Sequence, residues 1–305
     1  MPIIIGAGIS YSPLLYRKRS DWGAVSEFLR KGAVQPESAG SEDSAVLDDF
    51  EDRVFRGFSA IEQLIAKSEL DALIVLTADR GDLFDDSNVP QLHMQVGGEV
   101  WGDTAIEALG EPSAIQRFSC HAELADILIE QLVRDGFDLA ESRGDFRPVG
   151  NPERGVGGQE VEAVARLANT LPLIPIHINC HVEPVIPGAR IHAFGRALSQ
   201  AAELTDQRLG ILVSGGLSGA PGGDMAGWID DVLDNWVLAR LTQGRSAEIA
   251  GIWRARSRTL LGSSAEIRLW AAAGAALEST GRRAEIIDYM PFHHAATGVA
   301  TVIWR

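Results

Sequence analysis

Short apolar runs alternate along the chain with stretches in which apolar residues recur every three or four positions. Continuous apolar runs are typical of strands that are buried on both faces of a sheet. They predict strands at 2–7, 72–77, 173–179, 209–214, 284–289 and 299–304. The helical spacing predicts helices at 46–65, 124–132, 161–167, 191–204, 226–243 and 264–279. Strands that alternate with helices predict an α/β sandwich, and no linker divides residues 1–305, so we expect a single domain.

Glycine, proline and polar residues separate these elements. Residues 30–45 and 142–158 are rich in such residues and predict surface loops. Ser44 is placed to cap the helix that follows it, and Gly136 is placed to end the next helix. Residues 92–96 predict one more short strand.

Composition narrows the class of protein. The chain has 305 residues, of which 46% are hydrophobic and 23% charged, a balance typical of globular proteins. Its 27 Lys and Arg residues against 42 Asp and Glu residues give a net charge of −15. Phosphate-binding surfaces need clustered Lys and Arg, so we expect neither nucleic acid nor membrane as a partner. The start lacks the features of a signal peptide, and we expect a cytoplasmic protein.

Common catalytic motifs are missing from the sequence. The cysteines, Cys120 and Cys180, lack the spacing of metal ligands, and we expect reduced thiols. There is no phosphate loop and no dinucleotide fingerprint. The adjacent His293 and His294 would point to opposite faces of an extended chain, which hinders joint binding of one ion. Residues 216–220 resemble a nucleophile elbow but lack its second glycine, so a tight turn is the simpler interpretation.

Several segments nevertheless occur in the order found in one enzyme family. They lie at 9–13, 79–90, 173–195, 215–218, 233–241 and 289–298. Together they resemble the class III extradiol ring-cleaving dioxygenases, the family of the protocatechuate 4,5-dioxygenase β subunits. The resemblance spans nearly the whole chain. It implies a class III extradiol dioxygenase-like fold, in which helices flank a mixed central β-sheet, and a role in aromatic-compound metabolism.

The residues at the family's iron positions depart from its pattern. That family holds Fe(II) with two histidines and a glutamate. The resemblance places Tyr11, Arg80 and Val232 at these positions. It also places Gly219 at the catalytic histidine and Arg154 at a further histidine. Valine has no donor atom, and a guanidinium has no lone pair to offer a metal. We therefore predict that the iron site is not built, that no residue ligates a metal, and that no cofactor is used.

The resemblance also implies which side chains surround the former iron pocket. The candidate catalytic residues are Tyr11, His181, His293 and His294. The candidate substrate-binding residues are Arg80, Arg154, Ser218 and Asp79. Arginine binds carboxylates bidentately, and histidine titrates near neutral pH. We therefore expect a metal-independent enzyme that acts on a small anionic aromatic or unsaturated acid, as a lyase, hydrolase, isomerase or decarboxylase.

Two other interpretations stay open. Arg80 could pair with a nearby or remote carboxylate and fill the space of the metal, in a non-catalytic subunit that assembles with a catalytic homologue. With Gly219 in the place of the catalytic histidine, the chain resembles the inactive subunits of two-component aminophenol dioxygenases. Alternatively, relocated ligands such as Asp79, Asp231 and His181 could hold iron in a ring-cleaving dioxygenase. In each case we expect an oligomer, with copies of itself or with the homologue.

Overall fold

The strands predicted from continuous apolar runs are present in the computed structural model, which describes residues 2–85, 88–144, 155–254 and 260–305. The strands are β1 (Ile3–Ile9), β2 (Ala72–Thr77), β3 (Leu92–Gln95), β4 (Glu99–Asp103), β5 (Ile115–Ser119), β6 (Ala140–Ser142), β7 (Leu173–Ile178), β8 (Leu209–Ser214), β9 (Ala284–Phe292) and β10 (Thr297–Trp304). Eight of them form one sheet in the order β6-β3-β7-β2-β8-β1-β10-β9, while β4 and β5 form a separate hairpin.

The sheet is mixed. Its central strands β7, β2, β8 and β1 are parallel. Strand β3 runs antiparallel to β7 on one side, and β10 and β9 continue antiparallel on the other. Parallel strands need crossover connections, which the helices supply. The first and last strands of the chain, β1 and β10, are neighbours, so the two ends of the chain meet in one sheet.

Helices cover both faces of the sheet. They are α1 (Trp22–Arg30), α2 (Ser44–Ser68), α3 (Ala122–Arg134), α4 (Gly158–Leu167), α5 (Gly188–Ala202), α6 (Asp231–Thr242), α7 (Ser246–Ile249) and α8 (Ile267–Ser279). Alternate residues of a central strand enter different cores: Ile74 packs in the core with α3, α5, α6 and α8. Val75 packs in the core with α1, α2 and α4. Burial on both faces explains the continuous apolar runs, and the predicted α/β fold with a mixed central sheet is confirmed.

Some element boundaries differ from the prediction. Asp43, not Ser44, caps α2, because its side chain accepts a hydrogen bond from the Val46 amide. Helix α6 begins at Asp231 rather than at 226, because the Asp230 side chain accepts from the Leu233 amide and starts the helix there. The strand predicted at 173–179 ends one residue earlier than predicted, at Ile178.

The hairpin of β4 and β5 and the helix α1 were not predicted. Strand β5 is exposed except at Phe118, so it lacks the apolar run that marked the central strands. Part of the predicted loop at 142–158 lies outside the described residues. Within the described part of the chain, no helix is long and apolar enough to cross a membrane. Cys120 and Cys180 form no disulfide.

Candidate active site

The carboxyl ends of the parallel strands meet at one edge of the sheet. Such an edge is where open α/β sheets bind their ligands. Tyr11 follows β1, Arg80 follows β2, His181 follows β7 and Ser218 follows β8, so all four reach this edge. Asp79 shapes the turn after β2, because its carboxylate accepts the backbone N–H groups of Gly81, Leu83 and Phe84 at 2.8–3.1 Å. Asp79 therefore serves the backbone of this loop.

Arg80 is held by a carboxylate that is remote in the sequence. Its Nε and Nη2 atoms donate to Oε1 of Glu266, at 2.7 Å and 2.6 Å, and Nη2 also donates to Ser263 Oγ at 3.1 Å. His181 Nε2 lies 2.8 Å from the same Glu266 oxygen. The other oxygen of Glu266 accepts the Gly216 amide at 2.6 Å. One buried carboxylate thus fixes both an arginine and a histidine.

Glu266 stays ionised in this setting. Its side chain has no exposed surface. Although burial alone would raise the pKa of Glu266, the Arg80 guanidinium, together with His181 and the Gly216 amide, lowers that pKa to about 2. An ionised carboxylate only accepts hydrogen bonds, so His181 donates from Nε2. A neutral His181 then carries its lone pair on Nδ1.

Arg80 and His181 face a cavity of about 320 Å³. The wall is partly apolar, with Phe84, Val89, Pro90, Ile178 and Val182, and partly polar, with Asp79, Asp85, His177 and Asn179. The Arg80 side chain is 29% exposed. Small-molecule sites are typically concave, mostly apolar and furnished with a few polar groups. This cavity has that composition.

Arg80 also borders a broader, open cleft that contains Tyr11. The Tyr11 hydroxyl donates to Glu162 Oε2 at 2.9 Å, and Arg17 pairs with the other oxygen of Glu162. Burial, and then the charge of Glu162, raises the pKa of Tyr11 well above its ordinary value. Burial raises the pKa of Glu162 itself to about 7, although Arg17 and Tyr11 oppose the shift. Tyr11 is therefore a hydrogen-bond donor and not a tyrosinate.

Ser218 is tied to α6 rather than to the cavity. Its amide and hydroxyl donate to Asp234 at 2.8 Å and 2.7 Å, and the Tyr289 hydroxyl donates to the same carboxylate at 2.9 Å. Burial raises the pKa of Asp234 to about 6, against the effect of these bonds. Gly219, the next residue, has a φ of 149° and an ideal Cβ position 2.3 Å from the Ala296 oxygen. The backbone there has no space for a side chain.

The two adjacent histidines lie elsewhere. His293 Nδ1 is 2.7 Å from the Gly227 carbonyl, and His294 Nδ1 pairs with Glu42. The backbone amides of both histidines also donate to Glu42. Neither histidine lines the cavity or the cleft that Arg80 borders. The structure thus brings Arg80 and His181 together and does not bring His293 or His294 to them. Arg154 lies outside the described residues.

The side chains that the resemblance places at the family's iron positions do not fit that ion. Tyr11 is bonded to Glu162, Arg80 is paired with Glu266, and Val232 is 76% exposed on α6. Across the described ranges, no group of three or more His, Cys, Asp or Glu side chains is placed to hold a metal. A protonated tyrosine, a guanidinium and an aliphatic side chain offer no ligand set for Fe(II).

Sequence reasoning missed the buried carboxylates. Glu266, Glu160 and Glu162 are all buried, yet each lies in a predicted helix or beside one, where charged residues usually face solvent. His177 was placed in a strand but was given no role, although it lines the cavity. Glu266 comes just before the apolar run of residues 269–277, and this proximity is the local signal that it is buried.

Comparisons with known proteins agree with the resemblance seen in the sequence. A 2,3-dihydroxyphenylpropionate/2,3-dihydroxicinnamic acid 1,2-dioxygenase from Klebsiella pneumoniae subsp. pneumoniae is 25% identical over 318 residues, covering 89% of this chain and 94% of the relative. An enzyme of the same name from Rhodococcus is 25% identical over 170 residues, covering 56% of this chain and 50% of the relative.

A solved structure of an uncharacterized protein from Escherichia coli K12 is also similar. It has a TM-score of 0.48 and 12% identity, covering 81% of this chain and 91% of that one. The family model described as the catalytic LigB subunit of aromatic ring-opening dioxygenase matches residues 36–302, which is most of the chain. The chain therefore belongs to the family of LigB subunits of aromatic ring-opening dioxygenases.

Proposed function

We propose that the chain is a metal-independent enzyme that acts on a small anionic aromatic acid. One observation carries the proposal: Arg80 and His181 are both held by the ionised, buried Glu266 at the wall of one cavity. A guanidinium and a histidine fixed by one carboxylate supply an anion-binding group next to a proton-transfer group. Neither of these groups needs a metal.

Arg80 is the group that binds the carboxylate of the ligand. Its hydrogen bonds to described residues come from Nε and Nη2, and none comes from Nη1. Nη1 is therefore available to a bound anion. The Glu266 pair holds the guanidinium in place, so little conformational entropy is lost when the ligand binds. His181 is the proton acceptor, because Nε2 is committed to Glu266 and Nδ1 carries the lone pair.

The ligand class follows from the cavity and from the relatives. A volume of about 320 Å³ is at the small end of ligand pockets and suits a single-ring acid. The relatives are named for dihydroxylated phenylpropionic and cinnamic acids, which combine one ring with one carboxylate. A histidine that takes a proton from such an acid supports lyase, hydrolase, isomerase or decarboxylase chemistry. We propose a reaction of one of these classes and not ring opening by O2.

Binding of cinnamate to protein treated with a chelator tests the proposal. We expect saturable binding of one cinnamate per chain by isothermal titration calorimetry. Arg80→Ala should weaken binding roughly 10- to 100-fold, the range for loss of one hydrogen bond to a charged group. Arg134→Gln is the matched control, because Arg134 is exposed on α3 and pairs with Glu130. If Arg80→Ala binds cinnamate as well as wild type does, the proposed anion site is wrong.

A second candidate function is that of a non-catalytic subunit. It is favoured by Val232, which is 76% exposed, and by Trp228, which is 43% exposed near the start of the same helix. Such apolar exposure is common where a protein surface meets a partner. Co-expression with a catalytic LigB-family homologue tests this function. Co-elution of the two chains, together with ring cleavage that depends on both, would favour the subunit over the enzyme.

A further inference from the structure

A row of buried, hydrogen-bonded polar side chains lies against the same cavity. His177 lines the cavity; its Nε2 is 2.8 Å from Glu160 Oε2, and its Nδ1 is 3.0 Å from His93 Nδ1. His93 Nε2 is 2.9 Å from Ser142 Oγ, and Ser142 in turn donates to Gln95 Oε1. His93, Glu160 and His177 are 1%, 2% and 4% exposed. Solvent barely reaches these three side chains, so their hydrogen bonds are made with other protein groups.

The direction of the hydrogen bonds is fixed at Gln95. Its Nε2 donates to the Glu99 carbonyl at 3.2 Å, so Oε1 is the amide atom that faces Ser142. Ser142 gives its one hydroxyl hydrogen to Oε1, so its oxygen accepts from His93 Nε2. Burial, and then repulsion by His177, lowers the pKa of His93 to about 2, so this ring is neutral. His93 Nδ1 is therefore an acceptor, and His177 must donate from Nδ1.

The contact between His177 and Glu160 then requires one more hydrogen. A neutral His177 that donates from Nδ1 presents a lone pair at Nε2, and a lone pair 2.8 Å from a carboxylate oxygen is repulsive. The second oxygen of Glu160, Oε1, is buried and has no hydrogen-bond partner among the described residues. Besides His177, the Thr77 hydroxyl donates to Oε2 of Glu160 at 3.3 Å, and an ionised carboxylate with so weak a donor is costly to bury. We propose that His177 and Glu160 share one buried proton, which makes the pair electrically neutral.

The shared proton determines the charge of the cavity wall. His177 lines the cavity beside Arg80, so an uncompensated charge on Glu160 would repel an anion there. Asp79 and Asp85 also line the cavity, and Asp79 is bound by three backbone amides. His177 is in this view a positioning residue that keeps Glu160 neutralised. This consequence rests on the proposed function, whereas the position of the proton does not.

Nitrogen-15 NMR of the histidine side chains at neutral pH tests the shared proton directly. We expect the hydrogen of His93 on Nε2 and a hydrogen of His177 on Nδ1. The His177 Nε2 signal should be displaced from that of a bare nitrogen. In Glu160→Gln the new amide can donate to Nε2, and the His177 signal should become that of a neutral acceptor. A wild-type His177 with an undisplaced Nε2 signal, or with its hydrogen on Nε2 and a bare Nδ1, would overturn the inference.

Cinnamate titrations test the consequence for binding. In His177→Gln the new amide can donate to an ionised Glu160 but cannot share a proton with it, and we expect cinnamate binding to weaken roughly tenfold. Glu160→Gln exchanges one neutral group for another, and we expect binding within about twofold of wild type on the same argument. Tighter binding by Glu160→Gln would mean that the wild-type pair is negatively charged, which contradicts the inference. Absence of cinnamate binding in wild type would contradict the proposed function and leave the NMR result standing.

Discussion

At the scale of single residues, buried carboxylates accompany two of the side chains that the resemblance places at the family's iron positions. Arg80 is paired with Glu266, and Tyr11 donates to Glu162. A buried charge is stable only when it is paired and hydrogen-bonded, so each of these carboxylates needs its partner. Glu266 has four donors, from Arg80, His181, Gly216 and, more weakly, Gln159. Arg80 and Tyr11 are therefore each held by a buried carboxylate of their own.

Glu162 should make the stability of the protein depend on pH. Burial raises its pKa from the ordinary 4.5 to about 7 in the folded state. Between these values the folded state binds the proton more tightly than the unfolded state does, so stability falls as the pH rises from about 4.5 to about 7. Over this range we expect the free energy of unfolding of wild type to fall by about 3 kcal/mol relative to Glu162→Gln.

Urea denaturation of both proteins at pH 5 and pH 8 measures this difference. Glu123→Gln is the control, because Glu123 is exposed on α3 and should show no such change. A difference between wild type and Glu162→Gln that is the same at both pH values would contradict the raised pKa of Glu162.

The substitutions themselves could be predicted from the sequence, but their partners could not. Arg80 was recognised from the resemblance, which places it at an iron position of the family. Pairing with a remote carboxylate was one of the interpretations that stayed open. Glu266 lies 186 positions away along the chain, and no local pattern connects it to Arg80. His181 was a candidate on the same resemblance. The shared contact with Glu266 depends on tertiary structure alone.

At the scale of elements, the N-terminal half of α4 connects much of the candidate site. Gln159 donates to the Ser214 carbonyl at 2.5 Å, Glu160 contacts His177, and Glu162 binds Tyr11. The sequence predicted a short helix here from Val161, Val164 and Leu167. It did not predict that the polar residues between them would be buried, because charged positions of a helix usually face water.

The loop after β8 should reject any side chain at Gly219. Its φ of 149° is unfavourable for other residues, and a Cβ would lie 2.3 Å from the Ala296 oxygen. We expect Gly219→Ala to lower the free energy of unfolding by about 2–4 kcal/mol. Restoring the family's histidine at this position should cost at least as much.

Thermal or urea unfolding of Gly219→Ala against Gly98→Ala provides the measurement. The ideal Cβ of Gly98 has no atom within 4 Å, so its substitution should have little effect. Equal stability of the two variants would show that the loop after β8 adapts to a side chain, and that a histidine at 219 is structurally possible.

At the scale of the whole molecule, the class of fold was predictable and the strand order was not. Continuous apolar runs in β2, β7 and β8 reflect burial on both faces, which is a property of each strand by itself. The position of β1 between β8 and β10 joins segments from opposite ends of the chain. Local patterns carry no information on such pairings. The hairpin of β4 and β5 was missed because β5 is mostly exposed and has polar residues beside Ile115 and Phe118, so it forms no continuous apolar run.

The net charge of the whole molecule is opposite in sign to the charge of Arg80 at the cavity wall. The chain has fifteen more acidic than basic residues, so its net charge is negative. An arginine at a cavity wall is then a distinct feature, because its positive charge acts where water is partly excluded. Cytoplasmic localisation and an oligomeric state stay predictions, and the exposed Val232 and Trp228 mark where a partner would be sought first.

Anaerobic calorimetric titration of chelator-treated protein with Fe(II) tests the central claim most directly. The claim is that Arg80, paired with Glu266, stands where the resemblance places an iron ligand of the family. A guanidinium repels a dication and offers it no lone pair, so we predict no saturable binding of Fe(II). Arg80→His serves as the comparison, because it restores the family's residue. Saturable binding of one Fe(II) per wild-type chain would contradict the account.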